Sequence, residues 1–136
     1  MDRQQLCDII IQHKKSLNMS WLDMTLATKI DSGTLRKSLS GSANVFLESL
    51  WPILNALKLT IVVCKDSKRF EIMNKTELTS WAEKSFIFAR LSMVKFANQM
   101  GITRMSLTSN MKGESKMRID TFLKWCELTG YTVEII

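Results

Sequence analysis

The chain has 136 residues, 46% of them apolar and 24% charged, and carries a formal net charge of +6. Such a composition belongs to a globular protein of one domain or two small ones. Its longest apolar run of note, Ile61-Val62-Val63-Cys64, is far too short to span a bilayer. The opening Met1-Asp2-Arg3-Gln4-Gln5 lacks the apolar core of a signal peptide. Three cysteines without a CxxC spacing point to reduced thiols, so a cytoplasmic location is expected.

Leu6, Ile9, Ile10, His13 and Leu17 recur at helical spacing and predict the first helix. Ser20 is placed to cap a short helix over 21–29. Asp31 is placed to cap another near 32–39, which Gly41 then stops. A fourth helix carries Leu47, Leu50, Trp51 and Leu54, and Pro52 inside it is expected to produce a kink. The β-branched run Leu59–Cys64 reads as a strand, and Lys65–Lys68 followed by Arg69–Ile72 completes a hairpin.

The series then starts again. Leu78, Trp81, Ala82, Ser85 and Ala89 restore helical spacing. Ser92 caps a helix over 93–100, and Thr103 caps one over 104–111 that Gly113 stops. Ile119, Phe122, Leu123 and Cys126 mark the last helix, and Tyr131–Ile136 the last strand. Left alone, that strand would expose an apolar edge, so it is expected to pair with the 59–72 hairpin.

Residues 1–64 overlay 73–136 without a gap. Leu6 falls on Leu78, Ser20 on Ser92, Ile30 on Ile102, Leu35 on Leu107, Gly41 on Gly113 and Thr60 on Thr132. The apolar class is kept at Met19/Leu91, Leu22/Val94, Met24/Phe96, Leu39/Met111, Leu47/Ile119 and Leu50/Phe122. The chain therefore divides into a first unit, 1–64, a connector with the second hairpin strand, 65–72, and a second unit, 73–136. Their net charges are +2, +1 and +3. A positive balance in every part favours a polyanionic partner.

Two short helices joined by a tight turn can brace across a phosphate backbone and present side chains to base edges. In the second unit, Phe96-Ala97-Asn98-Gln99-Met100-Gly101-Ile102-Thr103 supplies a small residue for close helix approach, a turn glycine, a core plug and a cap. From Leu91-Ser92 through Ala97, Gly101, Thr103, Leu107 and Gly113 to Ile119–Leu128, the chain resembles the Xre family of helix-turn-helix proteins, which includes phage repressors and Cro. The terminal strand resembles a branch that appends a short sheet. In the first unit Thr25 replaces the small residue and Lys29 the turn glycine. There the turn is expected to be reshaped, while Gly33 weakens the third helix.

The expected fold is mainly α: two tandem helix-turn-helix, repressor-like units, each ending in a short β-strand of a small shared antiparallel sheet. The resemblance implies a DNA-reading set in Arg104, Met105, Ser106, Thr108 and Ser109. Arg104 would read guanine, and Met105 would touch a thymine methyl. Ser92 at the bracing helix and Lys112 and Lys116 beyond the reader would meet phosphates. The first-unit counterparts are Ser20, Ser32, Gly33, Thr34, Arg36 and Lys37.

Trp51, Trp81 and Met24 fall on inward faces and read as core. Trp21 and Met93, at the first turn of each bracing helix, are candidates for contact with a protein partner. His13 lies on the inward stripe, without ligand-spaced companions for a metal. No Gly-rich phosphate loop, HExxH or GxSxG appears, so neither an enzyme nor a cofactor is expected. The sequence favours a repressor that occupies an asymmetric double-stranded operator as a covalent pseudo-dimer, with a homodimer as a further assembly. The alternative is a protein-binding regulator on the same scaffold: an antitoxin, an anti-repressor or an inhibitor of a defence nuclease.

Overall fold

Six polar side chains set helix starts, each accepting the backbone N–H three residues on: Asp2, Ser20, Asp31, Asn74, Ser92 and Thr103. They satisfy donors that a helix leaves orphaned at its first turn. The six form three repeat-equivalent pairs: Asp2/Asn74, Ser20/Ser92 and Asp31/Thr103. The computed structural model describes residues 1–136. The first half contains helices α1 (Arg3–Ser16), α2 (Trp21–Thr28), α3 (Ser32–Leu39) and α4 (Trp51–Ala56), then strands β1 (Ile61–Lys65) and β2 (Lys68–Glu71). The second contains α5 (Lys75–Phe86), α6 (Met93–Met100), α7 (Arg104–Lys112), α8 (Ile119–Thr129) and strand β3 (Thr132–Ile135). The protein is thus mainly helical, with one three-stranded antiparallel sheet in the order β2-β1-β3. No helix is long and apolar enough to cross a membrane.

The last strand does pair with the hairpin, on the free side of β1. Its register carries more information than the pairing itself. Val62 stands opposite Glu134, and Ile61–Ile135 and Val63–Val133 flank that pair. Val62 and Glu134 are equivalent residues of the two halves, 72 apart in sequence. The flanking pairs exchange with each other under the same equivalence. A local two-fold axis therefore runs between Val62 and Glu134. It recurs at a second crossing, where Phe46 bridges Arg118, again an equivalent pair. There Leu47 N–H donates to Met117 O at 2.7 Å and Ile119 N–H to Val45 O at 2.9 Å, which are the same bond seen from each half. Ion pairs follow the rule too: Arg3–Asp120 at 2.6 Å corresponds to Lys75–Glu48 at 3.9 Å.

One core of 27 buried residues runs through both halves. It includes Leu6, Met24, Leu35 and Leu50 from the first, and Leu78, Phe96, Leu107 and Phe122 from the second. Neither half of about 64 residues would bury as much surface alone. Trp81 and Met24 are fully buried as expected, whereas Trp51 is half-buried and donates Nε1–H to Ile72 O at 3.0 Å. His13 is half-buried, with Nε2 3.1 Å from Leu57 O.

Four local expectations need correction. Ile9 and Leu17 do not join the buried stripe of α1; they are 38% and 47% exposed, and Cys7 and Lys14 take inward places instead. Ala89 lies beyond α5, in a short 3-10 turn. Pro52 does not kink a helix, because the fourth element is already divided: Leu47–Leu50 form a 3-10 turn and α4 begins at Trp51. Proline in the first turn loses no helix bond, since the N–H it lacks would be unpaired there anyway. Finally, Lys29 does not reshape its turn. It adopts φ 60°, ψ 24°, close to the φ 72°, ψ 26° of Gly101, and its N–H still reaches Thr25 O.

The first turn is therefore kept at a conformational cost, and the Thr25 hydroxyl beside it is buried without a hydrogen-bond partner. Restoring the second half's residues should relieve both defects. Lys29→Gly is expected to stabilise by about 0.5–1 kcal/mol, the left-handed penalty less the added chain entropy. Thr25→Ala is expected to add about 1 kcal/mol by removing the unpaired hydroxyl. Urea unfolding midpoints check both, and a lower midpoint for Lys29→Gly would contradict the strained turn.

Candidate nucleic-acid interface

Helix α7 follows α6 after Gly101-Ile102-Thr103, with Ile102 half-buried against the core and Thr103 capping. Leu107 and Asn110 anchor its inner face. Its first turn is thereby left in solvent, with Arg104 exposed and Met105 83% exposed. Arg104, Met105, Thr108 and Ser109 line one shallow groove, whose rim also carries Glu114. Ser106 is spent locally, since its N–H donates to Thr103 Oγ1 and its hydroxyl accepts from the same atom, both at 3.0 Å. Lys112 is exposed at the end of α7. Arg104, Met105, Thr108 and Ser109 are thus gathered on one face of α7, whereas Ser106 serves its cap and Ser92 caps α6.

The first-half set is divided. Ser32 and Gly33 are exposed, and Thr34 donates its hydroxyl to Asp31 at 2.8 Å. Arg36 turns towards α2, its guanidinium carbon 5.4 Å from the Trp21 ring, which Lys14 also covers at 4.3 Å. Thr34 and Lys37 instead line a groove with Asn44, Phe46 and Arg118. That groove joins α3 to the second crossing on the two-fold axis.

At this crossing Arg118 and Lys116 stand over Phe46, 4.4 and 5.7 Å from its ring centre. Arg118 also donates to Asn44 O at 2.7 Å. Lys116 was expected near the end of the reading helix, but it belongs to this axial cluster. Phe46 and Arg118 were not singled out in the sequence, although their 72-residue separation was there to be read. None of Arg36, Lys37, Arg104, Lys112, Lys116 and Arg118 pairs with a carboxylate, since the protein's ion pairs involve only Arg3, Lys75 and Lys124. These six cations make no ion pair, although Arg104 shares its groove with the Glu114 carboxylate.

The helix starts differ electrostatically between halves. At α2, Ser20 accepts from Asp23 N–H while the Asp23 carboxylate accepts from Ser20 N–H at 2.8 Å, closing a capping box. At α6, Lys95 occupies that position, so Ser92 caps but its own N–H receives no returning carboxylate. The α3 cap is the acidic Asp31, whereas α7 has neutral Thr103. Segment 20–41 holds Lys29, Arg36 and Lys37 against Asp23 and Asp31, a net +1. Segment 92–113 holds Lys95, Arg104 and Lys112 with no acid, a net +3. A helix N-terminus already occupied by a carboxylate is a poor phosphate site, and one beside a lysine is a good one.

Comparison of the chain with protein-family models, with characterised proteins and with solved structures finds no match in any of the three.

Hydrogen bonds, those to backbone first, hold the Asp23 and Asp31 carboxyls below the usual carboxylate range. Ser20 supplies the bonds at Asp23, through its backbone and then its hydroxyl, and Thr34 does the same at Asp31. A depressed folded-state pKa gives stability that is present above about pH 4 and is lost as pH falls through the folded value. Asp31→Asn keeps the cap but cannot titrate. Stability near pH 7 should hardly change, and the decline below about pH 4 should become shallower than in the parent. Urea midpoints across that range provide the measurement, and an unchanged acid limb would count against the Asp31 assignment.

Proposed function

We propose that this chain is a sequence-specific double-stranded DNA-binding regulator, acting as a repressor by operator occupancy. Two helix-turn-helix units, residues 1–64 and 73–136, form a covalent pseudo-dimer in this reading. The observation that carries it is the two-fold relation between the halves. Under that relation α3 and α7 are equivalent elements of the two halves, which supports a pair of half-site readers. Cations free of ion pairs and an exposed first turn on α7 support the same reading.

Helix α7 is the principal reader. Arg104 supplies a bidentate donor pair for guanine, Met105 an apolar contact for a thymine methyl, and Thr108 and Ser109 shorter polar contacts. Ser92 N–H and Lys95 bind phosphate at the start of α6, with Lys112 beyond α7. Helix α3 contributes Lys37 and Ser32 under a less favourable field. Between two major-groove half-sites the minor groove turns towards the protein, so Arg118 and Lys116 meet it at the operator centre. A narrow A·T-rich groove there attracts arginine.

A second reading, a protein-binding regulator, draws support from α2. Leu22 and Leu26 lie one turn apart and are 67% and 71% exposed. Within α2 and α6 the large apolar side chains left exposed are Leu22, Leu26 and Val94, not Trp21 and Met93, which are half-buried. An antitoxin, an anti-repressor or a nuclease inhibitor would use such a face.

Selection from a random duplex library should return an asymmetric site, with half-sites about one helical turn apart and the sharper half read by α7. Arg104→Ala should lose about 1–3 kcal/mol of discrimination at one guanine while circular dichroism is unchanged. Arg118→Ala should flatten the preference for A·T pairs at the centre. Recovery of a perfect palindrome, or indifference to Arg104→Ala, would count against the pseudo-dimer reader.

A further inference from the structure

Away from the helix faces above, the short turn Ile87–Ala89 that follows α5 lies beside the β1–β2 hairpin. Phe70 from β2, Phe88 from that turn and Tyr131 ahead of β3 form an open aromatic cup, whose lip carries Ile87 at 73% exposure. Phe70 and Phe88 each meet the Tyr131 ring edge-on at 6.2 Å. The Tyr131 side chain is buried, and its hydroxyl, shielded from solvent, has no hydrogen-bond partner in the protein.

Cations gather at this cup without acids. Lys68, Lys84 and Arg90 line it, and Lys65 stands beside it. The Lys65 and Lys68 ammonium groups both sit 4.9 Å from the same Phe88 ring, and Lys84 lies 5.7 Å from Phe70. None of the four is in a salt bridge. Two ammonium groups at one ring repel each other, and an anion at the cup would offset that repulsion. The cup has no counterpart in the first half, where Gln12 replaces Lys84, Leu59 replaces Tyr131, and Lys15 and Ser16 replace Ile87 and Phe88. Pseudo-symmetry therefore does not account for it.

We propose that this cup binds a free nucleotide, its phosphates drawing Lys65, Lys68 and Lys84 off the Phe88 and Phe70 rings to join Arg90, and its planar base taking their place against those rings. Four cations answer more negative charge than a single carboxylate carries, which favours phosphate. The aromatic walls favour a planar ring over a simple anion. The assignment does not depend on whether the protein reads DNA.

The test is calorimetric titration of the full-length chain with ATP, AMP, adenosine, inorganic phosphate and a 5′-phosphorylated trinucleotide. ATP is expected to saturate one site at least ten-fold more tightly than adenosine or phosphate, with AMP between. The double variant Lys68→Gln/Lys84→Gln changes exposed side chains and should weaken ATP at least ten-fold at an unchanged melting temperature. Phe88→Leu should weaken AMP and leave phosphate unaffected. Arg104→Ala should bind ATP as the parent does, and loss of binding there would move the anion to the α7 face and overturn the assignment. So would ATP binding that is indifferent to the lysine pair, or no tighter than phosphate. Tighter binding of the trinucleotide than of ATP would assign the cup to strand ends and overturn the free nucleotide.

Discussion

Everything else in the molecule rests on β3 pairing with β1. Without it the second half ends in an unpaired strand, and the hairpin is a two-stranded ribbon, which is marginal in water. With it Val62 meets Glu134, and the two halves acquire a common axis. One contact on an axis would leave the halves free to pivot about it. The second crossing, Phe46 with Arg118, removes that freedom, and the ion pairs Arg3–Asp120 and Lys75–Glu48 tie each half's first helix to the opposite half. The exposed pairs contribute little energy individually. Their role is to hold orientation, while the shared 27-residue core supplies the stability.

Joining two copies in one chain also frees them to diverge. In a homodimer, a change in one copy is made in both; here it is not. The first half has Lys29 in a left-handed turn, an orphaned Thr25 hydroxyl and the carboxylates of Asp23 and Asp31 at its helix starts, while the second has Gly101, Ala97, Thr103 and Lys95. Each first-half choice leaves the backbone geometry nearly intact. Fold and electrostatics have thus separated: symmetry is preserved in the frame and lost in the field around it.

Features carried by local chemistry were legible in the sequence. The caps at Ser20, Asp31, Ser92 and Thr103 announce themselves because a short polar side chain followed by periodic apolar residues has few other uses. The pairing of β3 was foreseeable from the hazard of a free edge. What escaped was long-range or depended on competition between neighbours. Pro52 was read as a kink because the 3-10 turn ahead of it leaves no mark in the periodicity. Arg36 was placed among the reading residues, but a tryptophan fifteen positions earlier draws it away. The axial cluster of Phe46, Lys116 and Arg118 requires the antiparallel crossing, which a repeat offset alone does not specify. Aromatic residues at 70, 88 and 131 come together only once the sheet has formed.

The aromatic cup and helix α6 are ends of one packed run. Tyr131 meets Trp81 at 5.6 Å, Trp81 meets Trp125 at 6.4 Å, and Trp125 meets Phe96 of α6 at 5.0 Å. Contact of this kind is not coupling. An occupant of the cup changes the α6–α7 pair only if it binds better to one of two arrangements of that run. Tight interior packing makes such arrangements discrete when they exist. Linkage then fixes the converse: whatever factor an occupant of the cup applied to a ligand of the α6–α7 pair, that ligand would apply to the occupant. A symmetric partner site in the first half would divide that effect between the two halves, and none is present where Leu59 stands in place of Tyr131. Any such coupling would therefore act on the α6–α7 head alone, the one whose field already favours phosphate.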